Sequence, residues 1–181
     1  MMLEKLVEKI VAASTKPRSV LYKAAAMLIG ASLFAIIVPL LLLLASYGIE
    51  EYFLSHRFRI LQIIAGIFGL AFGFFLVLWS VILLVRTGKG TPVPLAPPQK
   101  FIVDGPYRIS RNPILLGAML YYFGVGTIFD SIATGLLMFF LSLIVGTCYN
   151  KFIEEKELQR RFGTEYEEYR SKTPFLFPRW L

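Results

Sequence analysis

Residues 60–85 have the sequence ILQIIAGIFGLAFGFFLVLWSVILLV, and these 26 residues contain no charged side chain. A helix needs about 20 apolar residues to cross the roughly 30 Å hydrocarbon core of a bilayer. A second stretch, residues 24–47, has 24 residues without a charge. A soluble chain of 181 residues that is 56% apolar would have to bury both as unusually long core helices. The sequence therefore predicts an integral membrane protein.

Two shorter apolar runs follow, residues 114–129 and 132–149, and only Asp130 and Ser131 separate them. Their lengths of 16 and 18 residues are short for single spans, but together they fit a helical hairpin with a tight turn. Glycines inside these runs are typical of membrane helices that pack closely. The predicted fold class is an all-α integral membrane protein with about four transmembrane helices, the third of them short or tilted.

Helical segments are also predicted at both ends of the chain. Apolar residues recur at helical spacing in residues 2–13, which predicts an amphipathic helix lying at the membrane interface or, equally on this pattern, packed on the rest of the protein. Residues 151–181 form a polar helical tail that Gly163 interrupts. The chain divides into residues 1–85 and 86–181, which we expect to form one structural unit.

The distribution of basic residues predicts the orientation in the membrane. Of 19 lysines and arginines, 17 lie before the first span, in the loop of residues 86–112 or after residue 150, and two, Arg57 and Arg59, lie in the loop between the first two spans. By the positive-inside rule both termini are cytoplasmic. The net charge of +7 then indicates contact with anionic lipid rather than nucleic acid. One cysteine, Cys148, and one histidine, His56, are too few for a zinc site of these residues.

Polar residues without an apolar face flank the hairpin on both sides. Before it lies GPYRISRNP at residues 105–113, and after it lie Glu154 and Glu155. A hairpin with both ends in the cytoplasm brings these two segments together, so the sequence predicts a site for a charged ligand at the membrane surface. The structural alternative is that the arginines anchor the helix ends and the glutamates form a solvated helix face.

The order of these motifs resembles the superfamily of isoprenylcysteine carboxyl methyltransferases and phospholipid N-methyltransferases. The resemblance covers residues 86–179 and rests on GPYRxxRNP, Gly117, the pair Glu154-Glu155, and FGxxYxxY at residues 162–169. It implies an integral membrane enzyme that transfers a methyl group from S-adenosylmethionine to a lipophilic acceptor. The acceptor is a lipid amine, an isoprenoid-linked carboxylate or a small thiol, and membrane lipids or a lipophilic small molecule are the expected partners.

The resemblance also assigns roles to individual residues. Glu154 would bind hydroxyl or ammonium groups of the cofactor, and Arg108 or Arg111 would pair its carboxylate. Asn150 would contact the methyl acceptor. The residues implied in binding the cofactor are Gln99, Lys100, Phe101, Ile102, Gly105, Tyr107, Arg111, Asn112, Pro113, Glu154 and Glu155.

Three residues depart from the pattern of relatives, and one of them is Leu115, where many relatives have tyrosine. Asn112 replaces a histidine found in many of them, so a histidine base is excluded there. Asn150 replaces an arginine of the prenylcysteine enzymes, so a carboxylate acceptor lacks its counter-charge. The residues left as candidates to help remove a proton from the acceptor are Glu155, Tyr121, Tyr122 and Tyr149. Two alternatives to a methyltransferase stay open, an NADPH-dependent membrane reductase of related architecture and a non-catalytic membrane scaffold.

Overall fold

The computed structural model describes residues 2–15, 18–46 and 59–177, and within these ranges every regular element is a helix. In chain order the elements are α1 (Met2–Ser14), α2 (Val20–Ser32), α3 (Val38–Ser46), α4 (Arg59–Arg86), α5 (Pro113–Phe129), α6 (Ile132–Tyr149) and α7 (Glu155–Lys172). The all-α membrane fold predicted from the sequence is confirmed.

Short irregular turns connect several of these helices. A π-helical turn, Leu33–Ile37, joins α2 to α3, and another, Asn150–Glu154, joins α6 to α7. A 3-10 turn covers Gly105–Arg108. His56 and Arg57, in the predicted external loop, lie outside the described residues.

Three helical segments are long and apolar enough to cross a bilayer: Val20–Ser46, Arg59–Arg86 and the apolar part of Ile132–Lys172, which ends at Tyr149. The remaining apolar helix, α5, has 17 residues and so reaches roughly 25 Å at 1.5 Å per residue. This agrees with the sequence-based prediction that the third apolar run is the short one.

Glycines allow α4 and α5 to approach each other at backbone contact. A Cβ atom on Gly73 would lie 2.4 Å from the backbone nitrogen of Tyr121, and one on Gly124 would lie 2.3 Å from that of Leu70. Both distances are far below van der Waals contact, so neither position tolerates a side chain without separation of the helices. Small residues drive helix association in membranes in this way, because they let dispersion contacts extend to the backbone.

The hairpin between α5 and α6 turns within two residues, as the sequence predicted. Ser131 caps α6, because its side chain accepts a hydrogen bond from the backbone N–H of Thr134 at 3.1 Å. The side-chain amide of Gln62 on α4 donates to the carbonyls of Thr127 and Asp130, at 2.9 and 3.1 Å. The carbonyls at the end of α5, which have no partner within the helix, therefore have one in Gln62.

The π-helical turn in the first span follows from a proline. Pro39 has no N–H, so the carbonyl of Ala35 loses its α-helical donor, and the N–H of Val38 bonds to Leu33 instead of Phe34. The two freed carbonyls accept hydrogen bonds from tyrosine hydroxyls of α5, Phe34 from Tyr122 at 2.9 Å and Ala35 from Tyr121 at 3.0 Å. The hydroxyls of both tyrosines thus donate to the backbone of a neighbouring helix. This is a structural role, different from the proton transfer for which the sequence made them candidates.

The N-terminal helix packs on the start of the polar tail. Val7 and Ile10 are buried with Ile153 in one apolar cluster. Glu4 forms ion pairs with Lys156, at 3.1 Å, and with Arg160. Of the two possibilities left open by the sequence, packing on the protein is observed for Val7 and Ile10, whereas Leu3 and Leu6 of the same helix are exposed.

The amphipathic helix, the loop of residues 86–112 and the tail all lie at one end of the helical bundle. The ammonium of Lys23 donates to the carbonyl of Lys89 at 2.6 Å, and the guanidinium of Arg161 donates to the carbonyl of Pro98. The basic segments that the charge pattern assigned to one side of the membrane are accordingly neighbours.

Candidate functional site

The two polar motifs that flank the hairpin contact each other directly. The side-chain amide of Asn150 donates to the side-chain oxygen of Asn112 at 2.8 Å, and Arg111 forms an ion pair with Glu155 at 2.7 Å. Asn112 precedes Pro113, which occupies the first position of α5, and Asn150 continues α6 into the π-helical turn. The sequence-based prediction that the hairpin joins these segments agrees with this arrangement.

The 3-10 turn is fixed against α4 by a glycine. Gly105 has φ +58°, a conformation that favours glycine, and a Cβ atom there would lie 2.7 Å from the Leu83 side chain. The ring of Trp79 lies next to the same position. Gly105 therefore shapes the turn that carries Tyr107.

Tyr107 lies half-buried between this turn and the tail. Its carbonyl accepts a hydrogen bond from the Tyr169 hydroxyl at 2.6 Å. Burial raises the pKa of the Tyr107 hydroxyl well above its ordinary value, and the charge of Glu154 raises it further. Tyr107 is therefore a neutral hydrogen-bond donor close to Glu154, and it cannot act as a base near neutral pH.

Glu154 is a carboxylate without a counter-ion among the residues that the structure describes. Its neighbours Glu155 and Glu157 have arginine partners, Arg111 and Arg161 respectively. Burial raises the pKa of Glu154 to about 7, and the charges of Glu157 and Glu155 add to the shift. A carboxylate in this position favours a ligand that brings a positive charge or hydrogen-bond donors.

Arg111 has its partners inside the protein. Its guanidinium bonds to Glu155 and, at 3.4 Å, to the Tyr166 hydroxyl, and it lies 5.7 Å from the centre of the Phe175 ring. Both members of the ion pair are about nine-tenths buried, with side chains 11% and 13% exposed. Glu155 neutralises the charge of Arg111, and this ion pair links the motif to the tail. Arg108, the other arginine of the motif, is exposed.

The segment of residues 99–102 lies along α7. Phe101 packs against the rings of Phe162 and Tyr169, with ring centres 5.0 and 5.2 Å apart, and Ile102 is 6% exposed. Gln99 and Lys100 are exposed, and Gln99 lines a cleft of about 340 Å³ between α1 and α7 rather than the space around Glu154. Only the apolar half of this segment therefore faces the inside of the protein.

The tail after α7 supplies contacts that the sequence did not indicate. The carbonyl of Phe175 accepts a hydrogen bond from the Asn112 side chain at 2.8 Å, and the carbonyl of Pro174 accepts one from the Arg111 backbone N–H at 2.9 Å. The ring of Phe175 lies against the cationic groups of Arg111 and Lys151. Pro174 beside it was the available signal, because a proline disfavours a helix and so leaves neighbouring carbonyls without helical partners.

Comparison with known proteins points to one family. The sequence model described as phospholipid methyltransferase matches residues 61–165, which is more than half of the chain. Methanethiol S-methyltransferase 2 of Bradyrhizobium diazoefficiens is 32% identical over 73 residues. That alignment spans 40% of this chain and 27% of the relative.

Proposed function

This chain belongs to the phospholipid methyltransferase family, and we propose that it transfers a methyl group from S-adenosylmethionine to a lipophilic acceptor at the cytoplasmic face of the membrane. The observation that carries the proposal is the Glu154 carboxylate. It lacks a counter-ion in the described residues and lies beside Tyr107, where the two motifs meet.

The residues around Glu154 fit the chemistry of the methyl donor. S-adenosylmethionine would supply a methyl group on a positively charged sulfur. An in-line displacement would form the bond from methyl to acceptor and leave the electron pair on the donor sulfur, and the acceptor proton would pass to the cytoplasmic solvent. The Glu154 carboxylate would accept hydrogen bonds from the ammonium or ribose hydroxyls and oppose the positive charge. The ring of Tyr107 would contact the adenine or the sulfonium.

The same geometry narrows the set of residues that would hold the donor. The side-chain nitrogen of Asn112 donates to Phe175 and its side-chain oxygen accepts from Asn150. Arg111 is paired with Glu155. Asn112 and Arg111 would therefore hold the walls of the site in place, while Glu154 and Tyr107 contact the donor. The donor carboxylate would lie toward the exposed cations of the surface, such as Arg108.

The acceptor would come from the bilayer, because the site lies at the ends of apolar helices. Much of α4 and α6 is exposed on the outer face of the bundle, as in Phe75 and Ile144, and this surface is covered by lipid in a membrane. The protein's main contribution would be to position donor and acceptor and to exclude water from the reacting groups.

Calorimetry with detergent-purified protein tests the proposal, using S-adenosylmethionine and NADPH in separate titrations. We expect S-adenosylmethionine to bind and NADPH not to bind. Formation of S-adenosylhomocysteine upon addition of a lipophilic acceptor would then report turnover. Binding of NADPH alone would instead favour the reductase, and binding of neither would favour a scaffold.

A further inference from the structure

The residues on both sides of Glu154 are held by other segments of the chain. Glu155 forms an ion pair at 2.7 Å with Arg111, from the motif before the hairpin. Ile153, which precedes Glu154 in the π-helical turn, is 9% exposed and packs in an apolar cluster with α1. Glu154 itself has no counter-ion among the residues that the structure describes. The position of its carboxylate therefore depends on how firmly its two neighbours are held.

The helix α1 also contacts the chain beyond Glu154. Glu4 forms ion pairs with Lys156, at 3.1 Å, and with Arg160. Ile153, Lys156 and Arg160 are three and four residues apart. Their side chains thus lie on one stripe of the helix, next to the stripe that carries Glu154. α1 therefore lies along the segment from just before Glu154 to more than a turn after it.

Apolar burial supplies most of the stability of this contact. Val7 and Ile10 lie one turn apart on α1 and are 0% and 7% exposed. Removing aliphatic side chains from water is a large contribution. The side chains in the ion pairs of Glu4 are 40% to 46% exposed, and ion pairs between exposed side chains contribute little. Val7 and Ile10 are accordingly the residues whose replacement releases α1.

The segment that carries Glu154 needs this support for two physical reasons. Glu154 ends a π-helical turn, and such turns occur only as short irregular pieces. Three carboxylates, those of Glu154, Glu155 and Glu157, also lie within four residues. Repulsion between these charges and the loss of hydration both oppose a buried position for the Glu154 carboxylate.

We infer that α1 positions the Glu154 carboxylate for the methyl donor, and that Val7 and Ile10 are the positioning residues. They act through Ile153 and not by contact with the donor. This inference rests on the proposed methyltransferase function. While α1 is docked, the turn is fixed and Glu154 faces the donor. The apparent Kd for the donor is then the intrinsic Kd divided by the fraction of molecules in which α1 is docked.

The test compares two double variants in calorimetric titrations with S-adenosylmethionine. Val7→Ser with Ile10→Ser removes the buried contact. Leu3→Ser with Leu6→Ser makes the same kind of change on α1 at side chains that are 45% and 41% exposed. We expect the first variant to raise the Kd at least about tenfold with an unchanged number of binding sites per molecule. The second should bind as the unchanged protein does.

A double-mutant cycle shows whether α1 acts through Glu154. In a Glu154→Ala background, Val7→Ser with Ile10→Ser should not raise the Kd further, because the group that α1 positions is absent. A further rise of about tenfold in this background would contradict the positioning role.

Hydrogen exchange gives an independent measurement, because the coupling is reciprocal. If docking of α1 favours donor binding, donor binding favours docking of α1 to the same degree. Amide exchange in residues 2–14 should therefore slow when S-adenosylmethionine saturates the unchanged protein. It should be fast in Val7→Ser with Ile10→Ser without the donor. Equal exchange of the unchanged protein with and without the donor would contradict the coupling.

The outcomes separate this inference from the proposed function. If the unchanged protein binds S-adenosylmethionine and the variant of Val7 and Ile10 binds with the same Kd, α1 does not position Glu154, and the methyltransferase function stands. Fewer sites with an unchanged Kd would show a role in folding alone and would also overturn the inference. If the unchanged protein does not bind S-adenosylmethionine, the proposed function is wrong and the inference with it.

A milder variant keeps the test decisive if the double variant does not fold. Val7→Ala makes a smaller change at the same buried contact. It should raise the Kd at least about threefold with an unchanged number of sites, and Leu6→Ala is its exposed control. An unchanged Kd in Val7→Ala would then overturn the inference.

Discussion

At the scale of single residues, the site is organised by which charges are neutralised inside the protein. Glu155 and Glu157 have arginine partners, whereas Glu154 has none among the described residues. The sequence named both Glu154 and Glu155 as cofactor-binding residues, and Glu155 also as a candidate to remove a proton from the acceptor. Only the fold distinguishes Glu154 from Glu155. Arg111, the partner of Glu155, lies 44 residues away along the chain, whereas Arg161, the partner of Glu157, lies only 4 residues away.

The raised pKa of Glu154 predicts a pH dependence of stability. The pKa is about 7 in the folded protein without ligand, compared with 4.5 for an ordinary glutamate, so its contribution to stability is present below about pH 4.5 and is lost as the pH rises through about 7. The Tm of the ligand-free protein should fall by a few degrees between about pH 5 and about pH 8. Thermal unfolding of Glu154→Gln should show a flatter profile, and an identical profile would contradict the burial of Glu154.

At the scale of elements, helices were predictable and their irregularities were not. Apolar run lengths located the spans, and Gly163 correctly marked the break in α7, where its φ is +49°. The π-helical turn at Leu33–Ile37 depends on two tyrosines almost ninety residues away, with separations of 86 and 88. No local sequence pattern predicts these two contacts, although Pro39 inside an apolar run indicates that the helix is irregular at this point.

A double-mutant cycle tests the explanation of this turn. Tyr121→Phe should destabilise the protein by about 1 kcal/mol, because it leaves the Ala35 carbonyl without a donor. In a Pro39→Ala background the new N–H can bond to that carbonyl, and the cost of Tyr121→Phe should shrink. Unfolding in denaturing detergent measures the four free energies. Equal costs in both backgrounds would contradict the role assigned to Pro39.

The contact of α4 with α5 makes a second prediction at this scale. Gly73→Ala places a Cβ atom 2.4 Å from the Tyr121 backbone, so it should force the helices apart and lower the Tm by several degrees. Ala71→Leu is the control, because Ala71 is exposed on the same helix and a larger apolar side chain is tolerated by lipid. If both variants unfold at the same temperature as the unchanged protein, close packing at Gly73 does not stabilise the contact between α4 and α5.

At the scale of the whole molecule, the site exists because three separate segments meet at one end of the bundle. Charge counting predicted that these segments lie on one side of the membrane, and the contacts from Lys23 to Lys89 and from Arg161 to Pro98 agree. The sequence could not show that the tail returns to cover the motif through Pro174 and Phe175. Those contacts are made by backbone carbonyls, which carry no side-chain signature.

The orientation of this end in the membrane is a prediction for the intact cell. If the positive-inside rule holds, a fluorescent protein fused to the C-terminus should be folded and bright, and a periplasmic phosphatase fused there should be inactive. The reverse pattern would place the site on the outer face. It would also remove the expected access to cytoplasmic S-adenosylmethionine.

The most direct test of the central claim is calorimetric titration of S-adenosylmethionine into the unchanged protein and into Glu154→Ala. The control is Glu165→Ala, which removes an exposed carboxylate from the same tail. We predict that Glu154→Ala weakens binding more than about tenfold while the protein still folds, and that Glu165→Ala binds as the unchanged protein does. Unchanged affinity in Glu154→Ala would contradict the assignment of the site.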